Sequence, residues 1–160
     1  MFQIPLSPPR TWTEFNGIAS FFTREYNPNS PTLYGTSMAG IVDEELAPEI
    51  LIRLWSYGGK IWDKYNRVCL NTPENNQAFG SILKTLDYIG RPPFDTAIEQ
   101  TVEDFCSGKT AMLITYSEYA GQICQSIHNH IIGRVGYEPI PGKTPASVGW
   151  NLGMNPCTAR

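Results

Sequence analysis

Phe105-Cys106-Ser107-Gly108-Lys109-Thr110-Ala111-Met112-Leu113-Ile114 compresses a helix end, a glycine turn and a strand into one short run. Phe105 closes the helix and Gly108-Lys109 turns the chain. Ala111 to Ile114 is wholly apolar, which predicts a central strand covered on both faces. Upstream, Thr96 to Glu99 reads as a capping box that opens the helix ending at Phe105. Downstream, Ser117 is placed to cap a helix to about Ile127, and Ile131 to Val135 reads as a further strand. From Gly136 the chain is rich in Gly and Pro and reads as loop or crossover.

The same alternation runs through the N-terminal half. Thr11 to Glu14 is a capping box, and Trp12, Phe15, Ile18, Ala19, Phe22 and Tyr26 fall on one helical face behind it. Asn27 to Pro31 ends that helix, and Thr32 to Thr36 predicts a short strand. A second helix ends near Tyr57 at Gly58-Gly59. Pro48 fits only a first turn, so its regular part is expected to begin near Ala47 rather than at Asp43. Lys60 to Leu70 alternates loosely around a turn at Asp63 to Asn66, as a small hairpin does. Thr72-Pro73 is a cap followed by a first-turn proline, and Phe79, Ile82, Leu83, Leu86 and Ile89 continue that helix. Helices alternating with short strands predict a layered α/β domain.

Residues 1–160 suffice for one domain with its own core. At 41% hydrophobic and 17% charged, the chain is not composed like a disordered one. A net charge of −3 with no basic block argues against a nucleic-acid partner. No apolar run is long enough to span a bilayer. Met1 to Arg10 has three prolines and no apolar core, so it does not read as a signal peptide.

The chain holds four cysteines, Cys69, Cys106, Cys124 and Cys157, with no Cys-x-x-Cys pair to suggest zinc or thiol redox chemistry. They read as small core residues, with one disulfide open if the protein is secreted. Ser107-Gly108-Lys109-Thr110 invites a phosphate-loop reading, but Glu103 stands where the loop's leading glycine belongs, and a strand follows rather than a helix. Gly142-Lys143-Thr144 fails likewise, with Tyr137 at the glycine position. His128 and His130 have no acidic or Cys partner nearby in sequence to complete a metal set. Ser117 is not in a nucleophile elbow. The sequence thus predicts no catalytic residue, no metal site and no cofactor.

Aromatic residues make up 12% of the chain, and several sit outside the helical stripes. Trp55, Trp62, Tyr116, Tyr119 and Trp150 lie near element ends or in Gly-rich turns. Aromatic faces beside polar groups suit sugar rings, whose C–H faces are apolar while their hydroxyls need hydrogen bonds. Packing at the rim of the domain is the competing account of each.

Taken in order, several segments resemble the carbohydrate-type extracellular solute-binding proteins of ABC importers. Pro9-Arg10-Thr11-Trp12-Thr13-Glu14-Phe15 resembles the segment where the family's chain passes into its second lobe. Trp55-Ser56-Tyr57-Gly58-Gly59-Lys60-Ile61 resembles its glycine turn, and Val68-Cys69-Leu70-Asn71-Thr72-Pro73 the strand and cap that follow. Phe105 to Met112 resembles its Phe-x-x-Gly-Lys-x-Ala-Met motif. Gly136-Tyr137-Glu138-Pro139-Ile140-Pro141-Gly142 and Gly149-Trp150-Asn151-Leu152-Gly153 resemble the return toward the first lobe. Specificity lies in the order and spacing of the set rather than in any one piece.

The resemblance implies one lobe of a type II periplasmic-binding-protein-like fold, with helices packed on a short mixed sheet. Residues 1–160 would be the second lobe, excised from a two-lobe protein, with Met1 as a start codon or an engineering remnant. It implies a non-enzymatic subunit that binds a small-molecule solute, a sugar or oligosaccharide, in a cleft between two lobes. Its partners would be the missing first lobe and a membrane permease. The whole protein would be extracellular, as a membrane-anchored lipoprotein or in the periplasm. The implied ligand contacts are Thr36, Ser37 and Met38 at one strand end and Tyr116, Ser117 and Glu118 after the Ala-Met strand. Some relatives carry Trp where this chain has Glu118, so Tyr116 or Tyr119 would supply stacking. Glu118 could accept hydrogen bonds from sugar hydroxyls or pair with a cationic ligand. Trp150, at the return crossover, completes the set. A sensory domain of the same fold and a small α/β enzyme are the competing readings. A half-site of this kind should bind sugar weakly or not at all alone.

Overall fold

Thr11 opens the first helix by accepting a hydrogen bond from the Glu14 amide at 3.2 Å, while Arg10 N donates to the Glu14 carboxylate at 2.7 Å. In this computed structural model residues 7–41, 43–125 and 131–146 are described, apart from the side chains of residues 43, 44, 124 and 125. Helix α1 spans Trp12–Phe21, α2 Asp43–Ser56, α3 Pro73–Thr85, α4 Ile98–Cys106 and α5 Ala120–Gln125. Short 3-10 turns at Leu86–Tyr88, Pro93–Asp95, Ser117–Tyr119 and Pro141–Lys143 link them.

Trp12, Phe15, Ile18 and Ala19 are buried as their helical spacing requires, whereas Tyr26, beyond the end of α1, is exposed. Trp12, Phe15 and Ile52 form one core cluster, with Met112 and Ile114 packed on it. Val102, Cys106 and Ile123 form a second, with Leu113 packed on that. Each fully buried large apolar side chain is worth about 1.5–3 kcal/mol. The run Ala111–Ile114 therefore faces two clusters alternately, as a two-sided strand does, although its side chains are half-buried rather than enclosed.

Helices carry this architecture, and the expected mixed sheet is not seen as a ladder. Among the described residues pairing is confined to a parallel bridge between Tyr34 and Thr110 and an antiparallel one between Trp62 and Val68. Around the first, Leu33 N and Tyr34 N donate to Lys109 O at 3.0 Å, and Met112 N donates to Gly35 O at 3.0 Å. On the far side Gly35 N and Thr36 N share the carbonyl of Tyr88 at 3.1 and 3.3 Å. Gly35 is pressed onto α1 there: a β-carbon would lie 2.0 Å from Ala19 O. A third neighbour offering one carbonyl cannot extend a ladder.

Four local expectations are corrected. Helix α2 starts at Asp43 and runs through Pro48. Proline costs one backbone bond there, but Glu45 ties the first turn to Ile98 N at 3.2 Å, and Arg53 pairs with Glu49 a turn beyond. Helix α3 buries Asn75, Ala78, Ser81 and Thr85 while Leu83 is 64% exposed. Its seam with α1 is polar: Asn16 donates to Ser81 O at 3.1 Å and accepts from the Thr85 hydroxyl at 2.8 Å. The box opening α4 is displaced by one residue. Thr96 turns its hydroxyl back to Pro92 O at 2.9 Å, and Gln100 rather than Glu99 caps the Ala97 amide at 2.9 Å. Ile131 to Val135 is no strand: Arg134 N closes a turn onto Ile131 O at 2.9 Å, with Gly133 at φ +73°.

Ser117 does not cap a helix either: Ser117–Tyr119 is a 3-10 turn without a side-chain cap bond, α5 begins at Ala120, and Ile127 lies outside the described residues. Several expectations do stand. Thr72 caps α3 through the Asn75 amide at 3.2 Å. The hairpin forms, with Asp63 N to Arg67 O at 2.9 Å and Cys69 N to Ile61 O at 2.8 Å. Ser107 to Lys109 is an ordinary helix-ending turn, with Gly108 at φ +75° and the Lys109 ammonium 2.9 Å from Asp104 Oδ1.

Candidate functional site

Parallel pairing at Tyr34–Thr110 sends two extended segments out in the same direction. Their carboxyl ends, Thr36–Met38 and Thr115–Glu118, leave the pairing at the same end. That is where ligands bind in open α/β folds. Ser37 Oγ and Thr115 Oγ1 are both enclosed and have no hydrogen-bond partner among the described residues. Thr110 Oγ1, where the second segment begins, is in the same condition. A buried hydroxyl left unbonded costs about 1–3 kcal/mol. Two of them lie on the segments that leave the pairing at this end.

Ser117 and Glu118 are exposed, and Tyr116 and Tyr119 are half-buried. These four form the open part of the site. Thr36 and Met38 do not share it: they are 1% and 2% exposed, so their side chains serve the interior and Ser37 is what this segment offers. The Gly35 and Thr36 amides are bonded to Tyr88 O, which draws this end of the segment inward. Trp150 lies outside the described residues, as do His128, His130 and Cys157.

Tyr119 is tied to the start of α4, its hydroxyl donating to Glu99 Oε1 at 3.1 Å. Burial first, then the bond to Glu99 and the charges of Glu99, Glu118 and Glu45, push its pKa up to about 12. The phenol is therefore a neutral donor at physiological pH. Glu45 holds Ile98 N with one carboxylate oxygen, and its other oxygen is enclosed without a partner. Thr115, Glu45 and Glu99 were not among the residues expected from the sequence. Thr115 is the polar residue that ends the apolar run, a signal that could have singled it out. Glu45 and Glu99 reach the site only through tertiary packing.

Among the described residues no three His, Cys, Asp or Glu side chains converge as a metal set would. Cys69 and Cys106 are both free thiols, and burial raises the pKa of Cys106.

The residues expected to carry the chain to and from another lobe lie side by side: Gly142 N donates to Arg10 O at 3.0 Å. An open groove of about 920 Å³ runs along them, lined by Ser7 to Arg10, Glu14 and Glu138 to Ile140. None of the candidate ligand contacts lines it.

No protein-family model matches the chain, and no curated protein matches it by sequence. Solved structures do match. An ABC transporter solute-binding protein from Agrobacterium radiobacter, in complex with ribitol, superposes with TM-score 0.71 at 23% identity over 85% of this chain. Maltose-bound MalE3 of T. maritima superposes at 0.70 and 23% identity over 88%. An ABC transporter solute-binding protein from Agrobacterium vitis, with bound D-mannitol, gives 0.67 and 18% over 82%. The chain spans only 33%, 36% and 31% of those three proteins' lengths. Likeness at this identity establishes fold, and the fold is that of part of a periplasmic-binding-protein-like solute-binding protein.

Proposed function

We propose that this chain forms one wall of a solute cleft in the receptor subunit of an ABC transporter, and that the solute is a sugar or polyol. The observation that carries this is the pair of enclosed, unbonded hydroxyls, Ser37 Oγ and Thr115 Oγ1, at the carboxyl ends of two parallel segments. Polyols present alternating donors and acceptors, which such hydroxyls satisfy without charge. Tyr116, next in the chain to Thr115, would supply the stacking face, since Tyr119 packs on the second core cluster, and Ser117 and Glu118 are exposed to bond further hydroxyls. Ribitol, maltose and D-mannitol, bound by the three similar structures, share this chemistry.

The opposing wall belongs to another lobe, and closure of the two lobes is driven by contacts made only in the closed state. The adjacency of Arg10 and Gly142 supports this, because two crossovers to a second lobe must lie together. The whole protein then works outside the cell, as an anchored lipoprotein or in the periplasm, and delivers its solute to a membrane permease. Binding and release, not bond chemistry, are its task.

Amide NMR titration of the chain with ribitol, D-mannitol and maltose tests the reading. The expected result is weak, fast-exchange shifts confined to residues 36–38 and 115–119. Tight binding by the chain alone would refute the one-wall argument. Shifts confined to other residues would refute the site.

A further inference from the structure

The segment Lys60 to Leu70 is a narrow ribbon that buries almost nothing. Trp62 and Val68 face one another across its antiparallel bridge, yet are 57% and 66% exposed. Tyr65, at the tip, is 65% exposed. Single exposed apolar residues are ordinary on protein surfaces. The paired tryptophan and valine, with a tyrosine at the tip, are apolar surface that the folding of this chain leaves uncovered.

The ribbon is nevertheless held in a fixed shape. Asn75, fully buried, accepts from Lys60 N at 3.0 Å and donates to the carbonyls of Lys60, Cys69 and Leu70 at 2.9, 3.1 and 2.9 Å. At the tip Asp63 Oδ1 accepts from Tyr65 N at 2.7 Å and Arg67 N at 3.0 Å. Asn66 there sits at φ +58°, a left-handed conformation that asparagine tolerates. A buried asparagine and a turn-organising carboxylate thus position an element that adds little to the core.

Its charge is opposite to that of the chain. The ribbon carries Lys60, Lys64 and Arg67 against Asp63, in a protein of net charge −3. Glu74 lies beside Lys60 at the base, and at the tip Asp63 Oδ2 accepts from Arg67 Nε at 2.8 Å and pairs with Nη2 at 2.7 Å, which leaves Lys64 as the tip's net positive charge. Lys64 Nζ and Arg67 Cζ lie 4.9 and 5.1 Å from the Tyr65 ring centre. Aromatic rings interleaved with cations are what a membrane–water interface selects, the rings sitting at headgroup depth and the cations against lipid phosphates.

We propose that this ribbon is a membrane-surface docking element, seating Trp62 and Tyr65 among anionic lipid headgroups with Lys64 against their phosphates. A protein partner fits less well. Specific protein interfaces take about 800 Å² of complementary surface from each side, and a thin ribbon exposed on both faces presents no such surface. Nor does any helix among the described residues have the length and apolarity to cross a membrane, so this contact would be peripheral. The inference is independent of the solute reading, since either binding can be observed without the other.

The test is co-sedimentation of the chain with phosphatidylglycerol–phosphatidylcholine vesicles and with phosphatidylcholine vesicles, at low and high salt. Binding to the anionic vesicles alone, weakened by salt, is expected. Lys64→Gln should weaken it about fivefold, and Trp62→Ala at least as much. Lys84→Gln, a charge-matched change on α3, should not alter it. Circular dichroism should show every variant folded, since the altered side chains are exposed. Absence of binding to anionic vesicles overturns the proposal. So does binding that the two ribbon variants leave at the Lys84→Gln level. Ribbon-dependent capture of solubilised membrane proteins without any vesicle binding also overturns it, in favour of a protein partner.

Discussion

The hydroxyl of Tyr119 donates to Glu99 Oε1 across 3.1 Å, fastening the loop after one extended segment to the first turn of α4. Folding raises this phenol from 10.0 to about 12, chiefly by burial and then through Glu99. The folded chain therefore holds the phenolic proton more tightly than the unfolded chain. The stability linked to that proton is fully present below pH 10 and is lost as pH rises from there through about 12. Urea midpoints across this range should fall for the native chain and fall less for Tyr119→Phe. Ultraviolet titration should show one late-ionising tyrosine fewer in the variant.

Ser37 and Thr115 carry the second prediction. Each places an unbonded hydroxyl where water does not reach. Ser37→Ala and Thr115→Val should each stabilise the unliganded chain by about 1 kcal/mol, read by urea denaturation. Both should diminish the NMR response to polyols. Stabilisation with an unchanged response would leave the hydroxyls as buried polar groups with no part in binding.

Arg53 is 1% exposed, paired with Glu49, and its guanidinium stacks 4.1 Å from the Trp12 ring centre. Arg53→Met should cost about 3 kcal/mol, because it strands the Glu49 carboxylate. Pairing it with Glu49→Gln should recover part of that loss. A double-mutant cycle by chemical denaturation measures the coupling.

Gly35 has no room for a side chain, since a β-carbon would lie 2.0 Å from the Ala19 carbonyl oxygen. That neighbour is helix backbone and cannot yield. Gly35→Ala should cost about 3 kcal/mol by forcing α1 and the extended segment apart. Gly17→Ala, with nothing near its β-carbon position, should be tolerated in the same assay and even strengthen α1.

Cys106 packs with Val102 and Ile123, and burial raises its pKa. Peptide mapping after alkylation should find Cys106 modified only on unfolding, with the half-buried Cys69 modified earlier.

Local chemistry made much of this fold legible. The Thr11 and Thr72 caps, the Gly58 and Gly108 turns and the Asp63–Asn66 tip each rest on contacts between residues close in sequence, so the chain specifies them before it folds. The order of motifs pointed to the solute-binding fold that superposition shows. The candidate site was legible only in part. Ser117 and Glu118 follow an apolar run and emerge at the surface with Tyr116 half-buried before them, whereas Thr36 and Met38 turned out to be enclosed.

Tertiary structure decided what periodicity could not. Helix α3 faces inward with Ser81 and Thr85 because Asn16, 65 residues before Ser81, bonds that face, and with Asn75 because it bonds the backbone of Lys60, Cys69 and Leu70. Helix α2 runs through Pro48 because Glu45 and Arg53 have partners that hold its turns. Among the described residues the expected sheet is reduced to isolated bridges, and Gly35 beside one of them is wedged against α1. Ser37 and Thr115 came to leave the pairing at the same end only when two distant segments aligned. Sequence alone thus determined where elements start, stop and turn, since those depend on near neighbours. Which face each element buries, and which polar atoms are left for a ligand, was decided by contacts between residues far apart in the chain.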